Sequence, residues 1–193
     1  MPLIDRSDSV LIVVDAQPGF SGTSDDDKAA AAQARRVAAW LVGVAAALGV
    51  PVIVTEEDPA TNGPTHAVVA DALPSSAAVF RKAVFGLADV PEILAAVERT
   101  GRRTAILVGA ETDVCVAHSA VGLVDRGFRV VIVADATFSP AAMHEHGLRQ
   151  VRDAGAEVRH AKGVYYEWIR TVEAARRFKT AHAALMTPPG FRL

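Results

Sequence analysis

The chain contains few of the features that usually place a protein quickly. One cysteine in 193 residues rules out an internal disulfide, so any fold must rest on burial alone, and a chain of this length can bury a real core. Charge of one sign is also missing. The formal net charge is −2, and no basic stripe or run of like charge occurs apart from Asp25-Asp26-Asp27, which reads as a solvated cap before a helix. That argues against a nucleic-acid partner. No apolar run is long enough to cross a membrane. The longest alanine-rich tract, residues 29–48, is interrupted by Gln33, Arg35 and Arg36 and reads as an amphipathic helix. The first residues carry no basic leader or cleavage site, which points to the cytoplasm. No Gly-x-Gly-x-x-Gly follows the first apolar run, so a dinucleotide-binding oxidoreductase is a distant reading.

What is present is a rhythm. With 51% hydrophobic and 22% charged residues, the composition is that of a compact soluble protein. Apolar, mostly β-branched runs at 10–14, 52–54, 78–80, 105–108 and 130–133, with a short sixth at 156–158, alternate with helical stretches at 28–48, 91–99, 114–126, 140–154 and 163–178. Strands apolar on both faces and separated by helices predict a three-layer α/β/α fold. Its sheet is mostly parallel, Rossmann-like and of about six strands. Gly49, Gly101, Gly127 and Gly155 stand where helices must stop. Residues 56–74, with Pro59, Asn62-Gly63-Pro64 and Pro74, predict a long loop over one edge of the sheet. The whole chain, 1–193, reads as one domain whose last residues, 186–193, form an exposed tail or an oligomer arm. The aromatic group Tyr165, Tyr166 and Trp168 reads as packing against the sheet or a neighbouring subunit.

In open parallel sheets ligands bind at the carboxyl ends of the strands. Three reactive side chains are expected there: Asp15 directly after the first strand, Lys82 two residues after the third, and Cys115 in the first turn of the helix after the fourth. Unpaired N–H groups and the positive end of a helix dipole favour a thiolate at such a turn, and the same groups can hold an oxyanion. Each residue has an ordinary alternative: Asp15 as a turn cap, Lys82 as a solvated charge, Cys115 as a small buried hydrophobe. Together they supply an acid–base group, a cation and a nucleophile, which is what attack on an amide needs.

Three segments resemble the isochorismatase-like, or cysteine hydrolase, superfamily: Val13-Val14-Asp15-Ala16-Gln17-Pro18-Gly19-Phe20, Arg81-Lys82-Ala83-Val84-Phe85-Gly86 and Gly109-Ala110-Glu111-Thr112-Asp113-Val114-Cys115-Val116. The resemblance covers nearly the whole chain. It implies Asp15 as general base and acid, Lys82 as its electrostatic partner and Cys115 as nucleophile. It further implies a cis peptide bond at Ala110–Glu111 that aims the Glu111 N–H at the oxyanion beside that of Cys115, with Thr112 and Asp113 shaping the turn. Phe20, Phe85, Val116, His118 and Ser119, with Glu111, are the expected substrate-binding positions, and Phe138 lies nearer the rim.

Nicotinamidases of that superfamily bind a metal through an aspartate and histidines just after the second strand. Here the stretch is Thr55-Glu56-Glu57-Asp58-Pro59, with no histidine until His66. No metal and no cofactor are therefore expected, and the chain looks closer to a metal-free, poorly characterised branch. His144 and His146, if helical, point to different faces.

The reading is a cysteine-dependent hydrolase that cleaves a C–N bond of a small amide or carbamoyl compound through a thioester. The alternatives are an isochorismatase-type vinyl-ether hydrolase and a non-catalytic or redox-responsive binding protein on the same fold. The resemblance also implies a homo-oligomer, a dimer or tetramer, in which the 56–74 loop could reach a neighbouring site.

Overall fold

The structure is a computed structural model that describes residues 2–193. Six parallel strands, β1 (Ser9–Val14), β2 (Val52–Glu57), β3 (Ala78–Lys82), β4 (Thr104–Ala110), β5 (Arg129–Phe138) and β6 (Glu157–Arg159), stand in the order β3-β2-β1-β4-β5-β6. The predicted three-layer fold is therefore found. The order reverses between β1 and β4, and Asp15 and Cys115 follow those two strands.

Period-two alternation sorts the side chains onto two faces. Leu11, Val13, Val52 and Val54 pack with the long helix α1 (Asp25–Ala47), with α7 (Ala161–Ile169) and with α8 (Val172–Ala181). Ile12, Val14, Ile53 and Leu107 pack on the other face with α4 (Pro91–Arg99), α5 (Ala117–Asp125) and α6 (Met143–Asp153). Ser24 and Asp27 start α1 with a capping box, so the acidic triplet is a helix cap as its sequence suggests.

Four expectations are corrected. The helix predicted at 163–178 is two helices, because Arg170 turns left-handed (φ 68°) and the Thr171 side chain caps α8 by accepting from Ala174 N–H. The loop expected at 56–74 begins two residues later, since β2 runs to Glu57, and it holds the single turns α2 (Pro59–Asn62) and α3 (Ala67–Ala70). Residues 186–193 are not an exposed tail. Phe191 stacks edge-on against Trp40 at 5.2 Å, Gln33 Nε2 donates to the Pro189 carbonyl, and just before the tail Trp40 Nε1 donates to the Leu185 carbonyl, so the segment docks along α1. Lys82 is the last residue of β3, not two residues beyond it. Of the aromatic trio, Tyr165 and Trp168 are buried, Trp168 Nε1 donating to Ser9 Oγ, while Tyr166 is exposed.

Candidate active site

The site is assembled from strand ends. Asp15 leaves β1 with φ 47°, is fully buried, and donates its N–H to the Thr55 carbonyl of the neighbouring strand. Thr55 Oγ1 donates to Asp15 Oδ1 at 2.7 Å. Lys82 Nζ lies 2.6 Å from Asp15 Oδ2, with neither side chain exposed. That contact is an ion pair rather than an aligned hydrogen bond, since Oδ2 has no partner of hydrogen-bond geometry. The ammonium also donates to the carbonyls of Val84 and Phe85, both at 2.9 Å, so the segment after β3 folds back to hold it. A buried charge needs this degree of pairing to remain charged.

Cys115 comes to the same place from the other side. Residues Thr112–Val116 form a π-helical turn rather than the start of an α-helix, and α5 begins only at Ala117. The peptide bond Ala110–Glu111 is cis, as the family resemblance implies. Cys115 is 2% exposed and lies on the face that carries Val14 and Ile12. Here the sequence expectation of a favoured thiolate is overturned. Burial, then the Asp15 carboxylate as charge and as hydrogen-bond acceptor, push the thiol up to about 12; Lys82 opposes this and Glu57 adds to it. The resting group is a neutral thiol beside a carboxylate.

The turn that carries Cys115 is held from three directions. Thr112 Oγ1 pairs with His144 Nδ1 at 2.9 Å, Ser139 Oγ donates to Asp113 Oδ1 at 2.6 Å, and Gly147 of α6 presses against the Thr112–Asp113 peptide. Thr112 and Asp113 thus shape the turn, and His144 faces it while His146 is exposed beside Arg149. Burial pushes the His144 imidazole below its ordinary value.

The expected substrate positions fare unequally. Phe85 (52% exposed) and His118 stack edge-on at 5.8 Å on the surface beside the Lys82 loop. Val116 and Ser119 are fully buried: Val116 packs in the core, and Ser119 Oγ accepts from the Leu87 N–H, anchoring the turn after Phe85. Phe20 lines, with Ala16, Ala34, Gly109, Ala110 and Phe138, an apolar recess of about 10 Å³ on the α1 side, with room for about one water-sized group. A larger cavity, about 460 Å³, lies at the end of β3 and is bounded by Glu57, Asp58, Pro59, Arg81, Lys82 and Ala83, so of the three reactive residues only Lys82 lines it. Among the described residues no group of three or more His, Cys, Asp or Glu side chains is placed to hold a metal ion, and no helix is long and apolar enough to cross a membrane.

Thr55 and Arg35 escaped the sequence reading, and Gln17, which stands in the first family-like segment, gains its role only from the fold. Thr55 orients Asp15. Gln17, whose Nε2 donates to the Glu57 and Gly63 carbonyls while its Oε1 accepts from the Glu57 N–H, ties the 57–63 segment to the end of β1. Buried Arg35 of α1 donates to the carbonyls of Gln17 and Phe20 and to Ser21 Oγ. A polar residue at the end of β2, in register beside β1, was the available signal for Thr55; nothing local marks Arg35, which acts across 14 to 18 residues.

A parallel three-layer sheet with a carboxylate, an ammonium and a thiol gathered at its switch point has the form of a nucleophilic hydrolase. Residues 9–162 match the isochorismatase domain, and the chain belongs to the isochorismatase family of hydrolases. It is 43% identical over 97 residues to isochorismatase domain-containing protein 1 of Danio rerio, a match spanning 50% of this chain and 33% of that protein, so the chain matches about a third of that relative's length. It is 26% identical over 186 residues to the probable hydrolase YcaC of Escherichia coli, covering 93% of this chain and 88% of that one. In fold it matches the MAR1 ribonuclease of Caenorhabditis elegans with a TM-score of 0.86 at 24% identity, over 99% of this chain and 96% of that one.

Proposed function

We propose that the chain hydrolyses a C–N bond of a small amide or carbamoyl compound, with Cys115 as nucleophile, Asp15 as proton carrier and Lys82 as electrostatic partner. The observation that carries this reading is the placement of the three at one end of the sheet: Lys82 Nζ lies 2.6 Å from Asp15 Oδ2, and that carboxylate is among the groups that raise the buried Cys115 thiol. A thiol held neutral is suited to attack in which its proton leaves as the sulfur–carbon bond forms.

Asp15 takes the Sγ proton while sulfur adds to the carbonyl carbon, and the oxyanion is held by the N–H groups of Glu111 and Cys115. Asp15 then hands that proton to the nitrogen, the C–N bond breaks, and ammonia or an amine leaves a thioester on Cys115. Water, losing a proton to Asp15, attacks the thioester. The carboxylic acid departs and the thiol recovers its proton. Lys82 balances the charge of the Asp15 carboxylate between proton transfers. No step needs a metal. The Escherichia coli relative is described as an octameric hydrolase of unknown specificity, which supports a homo-oligomer here as well.

The test is ammonia release from small amides and ureido compounds, with isochorismate assayed for pyruvate release. Ammonia from any of them, lost in Cys115→Ala and in Asp15→Asn, supports the reading. Pyruvate without ammonia favours the vinyl-ether reaction, and amide turnover undiminished in both variants removes the mechanism.

A further inference from the structure

Alternation along β2 and β3 decides which charges share the face of Cys115. Ile53 packs on that face, so Thr55 and Glu57, two and four residues on, project the same way; Lys82 is paired in register with Glu57 and shares its face, while Glu56 and Arg81, also paired, take the opposite one. Glu57, Lys82, Asp15 and Cys115 are therefore on one side of the sheet at one end. Lys82 is taken up by Asp15 and two carbonyls, and Cys115 is neutral, so the Glu57 carboxylate is left without a cation of its own.

Glu57 is also held in place. Its N–H and carbonyl are bound by Gln17, and Oε2 accepts from Asn62 Nδ2 at 2.7 Å, while among the described residues no hydrogen bond reaches Oε1. The side chain is half-buried and borders the cavity that Lys82 also lines. Burial, then the charges of Lys82, Asp15 and Asp58, act on Glu57 and leave its carboxyl above the usual range. Asp58, next in the chain, adds to the same sign. Of the cations that border the cavity, Lys82 is engaged by Asp15 and Arg81 belongs to the opposite face of β3, so Glu57 is the acceptor on the Cys115 face, and a fixed acceptor rewards a ligand that brings a donor and rejects one that brings a second anion.

We propose that Glu57 selects what reaches Cys115: its free Oε1 accepts from an ammonium or N–H-rich group on the substrate, so the chain acts on amino-amides and ureido compounds in preference to carboxylate-bearing amides. This rests on the C–N hydrolase reading for the word substrate, but the charge selection can be read without turnover. It also sets the mouth against a dicarboxylate such as isochorismate and against a polyphosphate such as RNA.

The single cysteine gives a direct test on the whole protein. The thiol is titrated with two methanethiosulfonates of equal reach and opposite charge, aminoethyl and sulfonatoethyl, each forming a disulfide on Cys115 and releasing methanesulfinate. Both draw on the same thiolate, so the ratio of their rates is insensitive to changes in thiol ionisation or general loosening. Relative to the ratio with free cysteine, wild type favours the cation by about tenfold, the effect of about 1.4 kcal/mol. Glu57→Gln brings the ratio to that of free cysteine and Glu57→Lys inverts it. In parallel, glycinamide, propionamide and succinamate are assayed for ammonia, with kcat/KM falling in that order in wild type and the order flattening in Glu57→Gln. An unchanged reagent ratio in both variants, or a wild-type preference for the anion, overturns the proposal even if amides are hydrolysed. A ratio that responds to Glu57 while no amide in any panel is cleaved leaves the selection standing and removes the C–N reading.

Discussion

Lys82 and Asp15 meet at 2.6 Å with both side chains sealed from solvent, each supplied by a strand that does not neighbour the other's: β2 lies between β1 and β3. The pair therefore bridges β2 and welds its two neighbours together. Removing one member strands the other charge in a dry site, which costs about 3–5 kcal/mol. Lys82→Met should accordingly lose about that much stability in urea unfolding, and Lys82→Met/Asp15→Asn should recover a large part of it, while neither turns over substrate. Equal stability of the single and double variants would mean that the two groups are not coupled.

The Cys115 thiol makes a prediction of unusual sign. Because burial and Asp15 hold it up to about 12, against an ordinary 9.0, the fold favours the protonated form. That contribution is complete below about pH 9 and is lost as pH rises from there towards 12, so wild type should lose stability over this window relative to Cys115→Ala. Iodoacetamide should react slowly at neutral pH and keep accelerating above pH 9. Asp15→Asn removes a negative charge and an acceptor that hold the thiol up, so alkylation should become faster while turnover vanishes. A variant slow in both assays would contradict the placement of the carboxylate beside the sulfur.

Arg35 is the interior clamp of the segment after β1. Its guanidinium reaches two carbonyls and a hydroxyl, and burial lowers its ordinary basicity, so the interactions are charge-assisted in a poorly solvated place. Arg35→Ala leaves three acceptors short of a donor and should cost about 2–4 kcal/mol. All three acceptors meet one nitrogen, Nη2, whose position the shorter side chain of Arg35→Lys does not reach in full, so that variant should rescue less than half of the loss in thermal unfolding. Full rescue would show that charge alone matters there.

The legible part of the chain was what local pattern dictates. The β-branched runs gave six strands because a strand buried on both faces must be apolar throughout. Asp15, Lys82 and Cys115 could be singled out because parallel topology puts the carboxyl ends of the strands on one edge, so reactive side chains at or after those ends share one end of the sheet. What escaped depended on tertiary context. Arg170 breaks a helix without glycine or proline. The tail docks because Trp40 offers a surface and a donor that only the folded α1 presents. The environment of Cys115 was not legible because the expected helix start is a π-helical turn in the fold, and burial and the Asp15 carboxylate, which raise its thiol, come from tertiary packing. Glu57 read as the absence of a histidine ligand, and only the register with Lys82 gives it a place.

Gly147 offers a way to disturb the nucleophile without touching it. A Cβ built there would stand 2.6 Å from the Asp113 nitrogen and 2.7 Å from the Thr112 carbonyl carbon, so α6 and the Cys115 turn are in backbone contact. Alanine must push the turn aside, and a displacement of about 1 Å in a reacting group costs about a hundredfold in rate. Gly147→Ala should therefore lose kcat by ten- to a hundredfold, an order-of-magnitude figure, at temperatures well below its unfolding midpoint. Gly163→Ala is the control. It sits inside α7 with nothing within 4 Å of its Cβ, so the same substitution should leave kcat alone and add about 0.5–1 kcal/mol of stability. A Gly147→Ala protein that folds stably and keeps wild-type kcat would show that the turn tolerates displacement and that its packing against α6 does not position the sulfur.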